Sequence, residues 1–218
     1  MILVFDLDGT LLDSVEDVSR STSEMVTSYG GRPLSSSEVA TMVGDGAATL
    51  VTRALAAGGV TSRPPGALAR YLEIYNRRLL DTTRPYEGIP EALIAASRRA
   101  ALAVLTNKPL APTIHLLEAL GLSAYFRAAI GGDGPHGRKP DPAGLLALAK
   151  GFQTIVLVGD SPIDWQTAQA AGCSFVWARY GFGARRFNGQ APETPYVLNR
   201  PADLSGIIDR IGHVMPGR

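Results

Sequence analysis

The chain has 218 residues, of which 45% are hydrophobic, so it can bury a substantial core with or without a smaller inserted unit. Its 21 Lys and Arg residues nearly balance its 20 Asp and Glu residues, which excludes a general attraction to nucleic acid or to an anionic membrane. The sequence contains no run of about 18 apolar residues, and no basic segment followed by a long apolar one near its start. We therefore expect a cytoplasmic protein, in which the single Cys173 cannot form an intrachain disulfide.

Five short apolar runs predict strands. They are Ile2–Phe5, Leu102–Leu105, Ala128–Ile130, Ile155–Val158 and Phe175–Trp177. Each run is continuously apolar rather than alternating, which is typical of strands that are buried on both faces. From residue 90 onward, helix-like stretches separate the runs. The pattern predicts an α/β fold with a parallel sheet flanked by helices, followed by a short strand at 196–198, a helix near 202–211 and a loose tail.

A long segment, 6–101, separates the first apolar run from the second, and it is far longer than one crossover helix needs. Four stretches within it have apolar residues at helical spacing: 15–29, 36–42, 47–57 and 65–80. We therefore predict a helical cap at 14–83, inserted into a core that consists of 1–13 and 84–218.

Two later helices carry residues that are typical of helix ends. Asp141 and Ser161 are each followed by a proline, so we predict that they cap helices whose first residues are Pro142 and Pro162. Gly172 is predicted to follow the end of the second of these helices.

Asp6 and Asp8 come directly after the first predicted strand. The carboxyl ends of the strands in an open parallel sheet are where ligands bind. Two carboxylates that are two residues apart on an extended backbone point the same way, and their repulsion must be relieved by a proton or a cation. A hard divalent ion is suited to such oxygen ligands. Taken alone, the same pair is equally typical of a solvated Asp-Gly turn.

Polar residues also follow the later predicted strands. Thr106 and Asn107 follow the second strand, where a hydroxyl and backbone amides at the start of a helix can bind an anion. Lys139 offers a positive charge near the same edge, and Asp160 and Asp164 add two carboxylates after the fourth strand. Each residue alone also has a structural interpretation, such as a solvated lysine or a carboxylate in the first turn of a helix. Together and in this order, they predict carboxylates for a metal ion, and a hydroxyl, an amide and a lysine for a phosphate.

Four segments, in this order, resemble the four sequence motifs of the haloacid dehalogenase (HAD) superfamily. They are 6–10, Thr106, Lys139 and 159–164. The chain resembles that superfamily over essentially its whole length. The resemblance implies a Rossmann-like, doubly wound parallel sheet with an α-helical C1 cap inserted after the first strand, which agrees with the prediction from periodicity.

Within the superfamily, further segments resemble those of bacterial phosphoglycolate phosphatases. They are 43–55 in the cap, 106–109, 130–133 together with 139–142, and 180–183. This resemblance implies a phosphatase whose substrate is 2-phosphoglycolate and whose products are glycolate and phosphate. Related phosphatases share much of these segments, so a phosphatase for another small phosphometabolite, such as a sugar phosphate or a nucleotide, stays open. A mutase similar to β-phosphoglucomutase also stays open.

The resemblance to the superfamily implies roles for five residues at the strand ends. Asp6 would attack phosphorus and form an aspartyl-phosphate. Asp8 would protonate the leaving oxygen and then take a proton from the hydrolytic water. Thr106, the Asn107 amide and Lys139 would bind the oxygens of the transferring phosphoryl group.

The same resemblance implies Mg²⁺ as the cofactor. Its ligands would be the Asp6 carboxylate, the main-chain carbonyl of Asp8 and the Asp160 carboxylate. Asp164 would be either a further ligand or a support for the others.

The cap is expected to bind the part of the substrate that lies beyond the phosphate. Gly44, Asp45 and Gly46 lie between two predicted cap helices, where the glycines allow a tight turn whose amides can face the core when the cap closes. Arg53, on the next helix, is suited to a bidentate contact with the carboxylate of the substrate. The alternative is an Arg53 that is solvated or paired with a carboxylate of the cap.

Functions of other kinds fit the sequence less well. A response-regulator receiver also carries Asp, Thr and Lys on a doubly wound sheet, but it is shorter and lacks an inserted cap. In a dehalogenase, Asp8 would have no leaving oxygen to protonate. Arg185 and Arg186 are predicted to be a short exposed pair, too small for binding nucleic acid. We expect a small-molecule phosphomonoester substrate, no nucleic-acid or membrane partner, and a monomer or a homodimer.

Overall fold

The computed structural model describes residues 1–61 and 64–214. Its strands, in chain order, are β1 (Ile2–Phe5), β2 (Leu12–Asp13), β3 (Arg84–Pro85), β4 (Ala101–Leu105), β5 (Ala129–Ile130), β6 (Ile155–Gly159), β7 (Ser174–Ala178) and β8 (Tyr196–Leu198). Its α-helices are α1 (Val15–Ser28), α2 (Ser36–Ala40), α3 (Ala47–Ala57), α4 (Ala67–Arg78), α5 (Ile89–Ser97), α6 (Leu110–Ala119), α7 (Ala143–Leu148), α8 (Pro162–Ala171) and α9 (Leu204–Val214). Short 3₁₀ helices cover Ser123–Tyr125, Phe182–Phe187 and Pro201–Asp203.

Six strands form one sheet in the order β5-β4-β1-β6-β7-β8, and every neighbouring pair is parallel. β1 lies near the centre, where Ile2 pairs with Ala101 of β4 on one side and with Ile155 of β6 on the other. From β1 the chain proceeds outward to β5, and from β6 it proceeds outward to β8 on the opposite side. The predicted α/β fold with a doubly wound parallel sheet is confirmed.

Both faces of the sheet are covered by a hydrophobic core. Leu3 and Phe5 of β1 belong to a core that includes residues of α5, α6 and α9 and extends to the helices between β2 and β3. Ile2 and Val4 point to the other face and belong to a second core, which includes residues of α7 and α8. Because successive side chains of a strand alternate between faces, burial on both sides requires every residue of β1 to be apolar.

The chain leaves and re-enters the core through a short antiparallel pair, β2 and β3, in which Leu12 lies opposite Pro85. α1 to α4 lie between these two strands, and α1 packs against the other three helices. We propose 14–83 as the extent of the cap, because β2 and β3 pair just at its ends. Residues 62–63 of the predicted cap, and 215–218 of the predicted core and tail, lie outside the described residues.

A buried carboxylate ties α1 to the segment that returns to the core. Asp17 accepts hydrogen bonds from the backbone N–H and the hydroxyl of both Thr82 and Thr83, at distances between 2.6 and 3.1 Å. Burial alone would raise the pKa of Asp17, but these hydrogen bonds favour the charged form and hold the pKa below its usual value. The contact fixes where α1 lies relative to the chain that enters β3.

The end signals of α8 are confirmed, whereas those of α7 are wrong by one residue. Ser161 is the N-cap of α8, Pro162 is its first residue, and Gly172 follows its end with a left-handed φ of 62°. α7 begins at Ala143, one residue later than predicted. The carboxylate of Asp141 accepts a hydrogen bond from the Ala143 N–H at 2.9 Å, so Asp141 forms a side-chain turn before the helix instead of capping it.

The C-terminal region agrees with its prediction in part. β8 matches the predicted strand at 196–198. α9 begins two residues later than predicted, because the turn before it is the 3₁₀ helix Pro201–Asp203, and it packs against α5. Across the described part of the chain, no helix is both long and apolar enough to cross a membrane.

Candidate active site

Three carboxylates meet at the carboxyl edge of the sheet. Asp6 follows β1, Asp160 follows β6, and Asp164 lies in the first turn of α8. One oxygen from each of the three lies within 4.8 Å of the others, and all three side chains are buried. Such a set of oxygen donors fits a hard divalent cation. The structure thus brings together the three carboxylates that the sequence predicted as metal ligands, and their ligation of a metal stays a prediction.

Burial changes the protonation of this acidic cluster. It raises the pKa of Asp6 to about 7, an effect that the Lys139 ammonium opposes and the Asp164 carboxylate increases. Burial also raises the pKa of Asp160 well above its usual value, and the charges of Asp164 and Asp6 add to the rise. A bound cation favours ionised carboxylates and would lower both pKa values. The chemistry of the donor set therefore fits a divalent cation.

Lys139 lies between two of these carboxylates. Its Nζ is 2.7 Å from Oδ1 of Asp6 and 2.6 Å from Oδ1 of Asp164. Burial alone would lower the pKa of Lys139, but the two carboxylates raise it above its usual value, so the ammonium stays charged. The second oxygen of Asp164 accepts hydrogen bonds from the backbone N–H and the hydroxyl of Ser161, at 3.1 and 2.6 Å. Asp164 therefore holds both Lys139 and the start of α8.

The carboxylate of Asp8 has different partners. Its Oδ1 accepts a hydrogen bond from the Ser14 hydroxyl at 2.6 Å, and its two oxygens lie 3.0 and 2.8 Å from Nζ of Lys108. Lys108 is a buried residue that the sequence analysis did not name as part of the site. The signal that could have revealed it is its position directly after Thr106 and Asn107, at the end of β4.

Thr106 and Asn107 follow β4, and the Asn107 side chain connects their loop to two others at the site. Thr106 is buried, and its hydroxyl oxygen accepts a hydrogen bond from the Lys108 N–H at 3.2 Å. The Asn107 side chain accepts a hydrogen bond from the Lys139 N–H at 2.9 Å and donates one to the Lys139 carbonyl at 3.0 Å. It also donates to the carbonyl of Gly44 in the cap at 2.9 Å. Asn107 thus connects the phosphate-binding residues predicted in the core to the cap loop, while phosphate binding by Thr106 and the Asn107 amide stays a prediction.

The cap loop at 44–46 is held by an arginine of the core. Gly44 and Gly46 have φ values of 118° and 88°, which residues with side chains rarely adopt. Arg186 donates hydrogen bonds to the carbonyl of Val43 and to the carboxylate of Asp45, both at 2.7 Å. A Cβ at position 44 would collide with Nη1 of Arg186. The glycine therefore allows the guanidinium to approach the backbone of the cap.

A cavity of about 50 Å³ lies between the cap and the carboxyl edge of the sheet. Its core side is formed by the polar residues Asp6, Asp8, Thr106, Asn107 and Lys108 and by two prolines, Pro109 and Pro112. Its cap side includes Gly44 and Gly46 and is otherwise mainly apolar, with Val18, Val43, Leu50, Tyr71, Leu72 and Tyr75. The size and the lining favour a compact ligand whose charged end faces the core.

Two arginines that were singled out in the sequence both pair with Asp45 of the cap loop. The prediction that Arg186 is exposed is wrong: 14% of its side chain is exposed, because it lies against the cap loop. Arg53 forms an ion pair with Asp45 and is 43% exposed. It is not among the described residues that line the cavity. Its predicted contact with a substrate stays a prediction, and Arg53 here has the alternative partner, a carboxylate of the cap.

The parallel sheet, the acidic cluster and the buried lysine define a hydrolase of the class that the four motifs predict. The sequence model of the haloacid dehalogenase-like hydrolases matches residues 3–178. The chain belongs to this family, which confirms the family predicted from the motifs.

The chain is also similar to individual proteins of known name. The phosphoglycolate phosphatase of Rhodospirillum rubrum is 38% identical over 192 residues, which cover 83% of this chain and 80% of that protein. Phosphoglycolate phosphatase 1 of Pseudomonas aeruginosa is 35% identical over 226 residues, with 98% of this chain and 82% of that protein covered. The crystal structure of a predicted phosphoglycolate phosphatase from Haemophilus somnus superposes with a TM-score of 0.83 at 27% identity, covering 94% of this chain and 96% of that one.

Proposed function

We propose that the protein is a Mg²⁺-dependent phosphatase that hydrolyses 2-phosphoglycolate to glycolate and phosphate. The observation that carries this proposal is the position of Asp6, which lies within one buried cluster beside Lys139 and the carboxylates of Asp160 and Asp164. A carboxylate so placed can act as a nucleophile, while the Lys139 ammonium, and a cation on the neighbouring carboxylates, would balance the charge of a phosphoryl group. The names of the relatives support the same activity.

The proposed first step is an attack by Asp6 on phosphorus, which forms an aspartyl-phosphate and releases the alcohol oxygen of glycolate. The Lys139 ammonium, the Thr106 hydroxyl and the Asn107 amide bind the phosphoryl oxygens, whose charge is large in a loose transition state. The Asp6 and Asp160 carboxylates and the Asp8 carbonyl would hold Mg²⁺, with Asp164 as a further ligand or a support, and the bound ion would supply further positive charge for these oxygens.

Asp8 is the proposed acid and base of the reaction. Its carboxylate lines the cavity and is held by the Ser14 hydroxyl and the Lys108 ammonium. In the first step it gives a proton to the leaving oxygen. In the second step it takes a proton from the water that attacks the aspartyl-phosphate, which restores Asp6.

The cavity supports a small substrate. Its volume of about 50 Å³ suits a compact acid better than a sugar or a nucleoside. We further propose that the enzyme acts in the cytoplasm on a freely diffusing phosphomonoester, without nucleic acid or membrane, as a monomer or a homodimer.

The proposal is tested by assaying the purified protein with Mg²⁺ on a panel of phosphomonoesters. The panel contains 2-phosphoglycolate, 3-phosphoglycerate, glucose 6-phosphate, β-glucose 1-phosphate and AMP. We expect the largest kcat/KM for 2-phosphoglycolate. A larger kcat/KM for a sugar phosphate or a nucleotide would support phosphatase activity but contradict 2-phosphoglycolate as the substrate. Conversion of β-glucose 1-phosphate to glucose 6-phosphate would indicate a mutase. No release of phosphate from any compound would contradict the proposal.

A further inference from the structure

Lys108 is the cation of the cavity between cap and core. Among the described residues that line this cavity, it is the single Lys or Arg. Lys139 does not line it and lies between Asp6 and Asp164, and Arg53 and Arg186 are bound to Asp45. Arg138, whose guanidinium lies beside Gly46, is bound to the Gly132 carbonyl and does not line the cavity either. A negative charge that a substrate carries beyond its phosphate therefore meets Lys108 first.

The surroundings of Lys108 leave it able to bind a second anion. Its side chain is 6% exposed, its Nζ contacts the Asp8 carboxylate, and it lies 4.6 Å from the centre of the Tyr75 ring. An ammonium has three donors. Nζ donates to both oxygens of the Asp8 carboxylate, and the described residues offer its third donor no further oxygen acceptor, only the face of the Tyr75 ring. Tyr75 also lines the cavity, and its buried hydroxyl has no hydrogen-bond partner among the described residues. A buried hydroxyl of this kind is normally satisfied by a partner such as a ligand or water.

The position of Lys108 is also set by the proposed chemistry. Asp8 must lie beside the leaving oxygen to protonate it, and Nζ of Lys108 is 2.8 Å from Asp8. A group attached to the carbon that carries the leaving oxygen is therefore brought close to Lys108. In 2-phosphoglycolate this group is the carboxylate.

We propose that Lys108 is the residue that recognises the carboxylate of the substrate, with the Tyr75 hydroxyl as a second donor. The inference rests on the proposed function and deepens it, because it names the side chain that distinguishes a short phosphorylated acid from a neutral phosphate ester. It also assigns to Lys108 the role that the sequence predicted for Arg53.

The test compares 2-phosphoglycolate with ethyl phosphate, which has the same carbon chain without the carboxylate. Lys108→Met removes the charge and keeps a side chain of similar length. We expect its kcat/KM to fall by roughly 10- to 100-fold more on 2-phosphoglycolate than on ethyl phosphate, the range for losing a hydrogen bond to a charged group. Lys150→Met, at an exposed lysine after α7, is the matched control and should keep the wild-type ratio between the two substrates. A fall of that ratio in Arg53→Ala and not in Lys108→Met would assign the carboxylate to Arg53 and overturn the inference.

Tyr75→Phe provides a second variant that removes one oxygen and leaves the packing in place. It should lower the ratio of kcat/KM on 2-phosphoglycolate to kcat/KM on ethyl phosphate by a smaller factor. This variant also tests the proposal if Lys108→Met does not fold. Equal losses on both substrates in the two variants would show that Lys108 acts through Asp8 alone, and would overturn this inference while the proposed function stands. A wild-type enzyme that hydrolyses ethyl phosphate as well as 2-phosphoglycolate would overturn the proposed substrate and this inference together.

Discussion

The core side of the cavity and its cap side present different kinds of atoms to a ligand. The core side carries charged and polar side chains at strand ends, such as Asp6 and Lys108, beside two prolines, and each charge has a partner. The cap side consists of apolar side chains and of the glycine loop at 44–46, whose Gly44 carbonyl is bound by Asn107. The difference indicates that the chemistry is built into the rigid sheet, while the cap shapes the space for the leaving group.

Core side chains hold the cap loop at 44–46. Asn107 and Arg186 of the core bind the backbone of the cap loop, and Arg186 also binds Asp45. Substitutions of the core carboxylates should therefore affect every substrate, whereas substitution of Arg186 should affect closure of the cap. The following predictions test this division from the largest expected effect to the smallest.

Asp6→Asn should lower kcat/KM by more than roughly 10³-fold on all phosphate esters, because a carboxamide is a poor nucleophile. The fold should stay intact. Asp13→Asn is the control, since Asp13 is an exposed carboxylate of β2, and it should retain activity. Phosphate release at the wild-type rate by Asp6→Asn would contradict the proposal that Asp6 is the nucleophile.

Removal of divalent cations with EDTA should abolish turnover, and added Mg²⁺ should restore it. Three buried carboxylates converge beside Lys139, and their charges need a cation when a phosphate is also bound. Ca²⁺ should inhibit, because it accepts more ligands and can draw both oxygens of Asp6 onto itself.

Thermal unfolding tests binding of the metal independently of activity. Mg²⁺ should raise the Tm of the wild type and have little effect on Asp160→Asn. Full activity in excess EDTA, or the same rise of Tm in both proteins, would contradict a metal at the acidic cluster.

Arg186→Ala should lower kcat/KM for 2-phosphoglycolate by roughly 10-fold, since it removes hydrogen bonds that hold the cap loop closed. The neighbouring Arg185→Ala is the control, because Arg185 is exposed. If both variants behave alike, the contact between Arg186 and the cap does not contribute to closure.

Asp17→Asn should have the smallest effect on activity and a clear effect on stability. It weakens the hydrogen bonds to Thr82 and Thr83, and we expect the free energy of unfolding to fall by about 1.5 to 3 kcal/mol. Glu16→Gln, an exposed neighbour on the same helix, should change it much less. Chemical denaturation of the three proteins measures the difference.

The lowered pKa of Asp17 predicts how its contribution to the free energy of unfolding depends on pH. The folded-state pKa of Asp17 lies below its unfolded-state value of about 4. Its contribution to stability is therefore fully present above that unfolded-state pKa, and it is lost as the pH falls through the folded-state pKa. The difference in unfolding free energy between wild type and Asp17→Asn should be constant near neutral pH and shrink in acid. A difference that grows in acid would contradict this assignment.

The residues that the sequence revealed are those whose roles follow from local position. The carboxylates at the ends of β1 and β6 were predictable, because parallel strands end at one edge of the sheet. Lys108 was not, since its contact with Asp8 joins residues that are distant in sequence and depends on how β4 pairs with β1. Arg186 was also missed, because a short arginine pair looks like exposed surface until the cap lies against it.

The cap was predictable as helices but not as a binding surface. Helical spacing predicted the helices around the 44–46 loop, and the positive φ values of Gly44 and Gly46 agree with the tight turn expected there. Sequence spacing could not show which way Arg53 points, because its partner Asp45 lies in the loop before the helix, and neither residue lines the cavity. The loop also presents the Gly44 carbonyl to Asn107, and the approach of its amides to the core stays a prediction.

The central claim is that Asp6 carries the phosphoryl group during the reaction. Asp8→Asn, mixed with Mg²⁺ and p-nitrophenyl phosphate, tests it most directly, because this reactive leaving group needs little protonation whereas hydrolysis of the intermediate still needs the base. We predict a burst of p-nitrophenol followed by slow turnover, and peptide mapping after an acid quench should locate the phosphoryl group on Asp6. A burst that leaves the phosphoryl group on another residue would contradict the account, and so would steady turnover in which Asp6 is never phosphorylated.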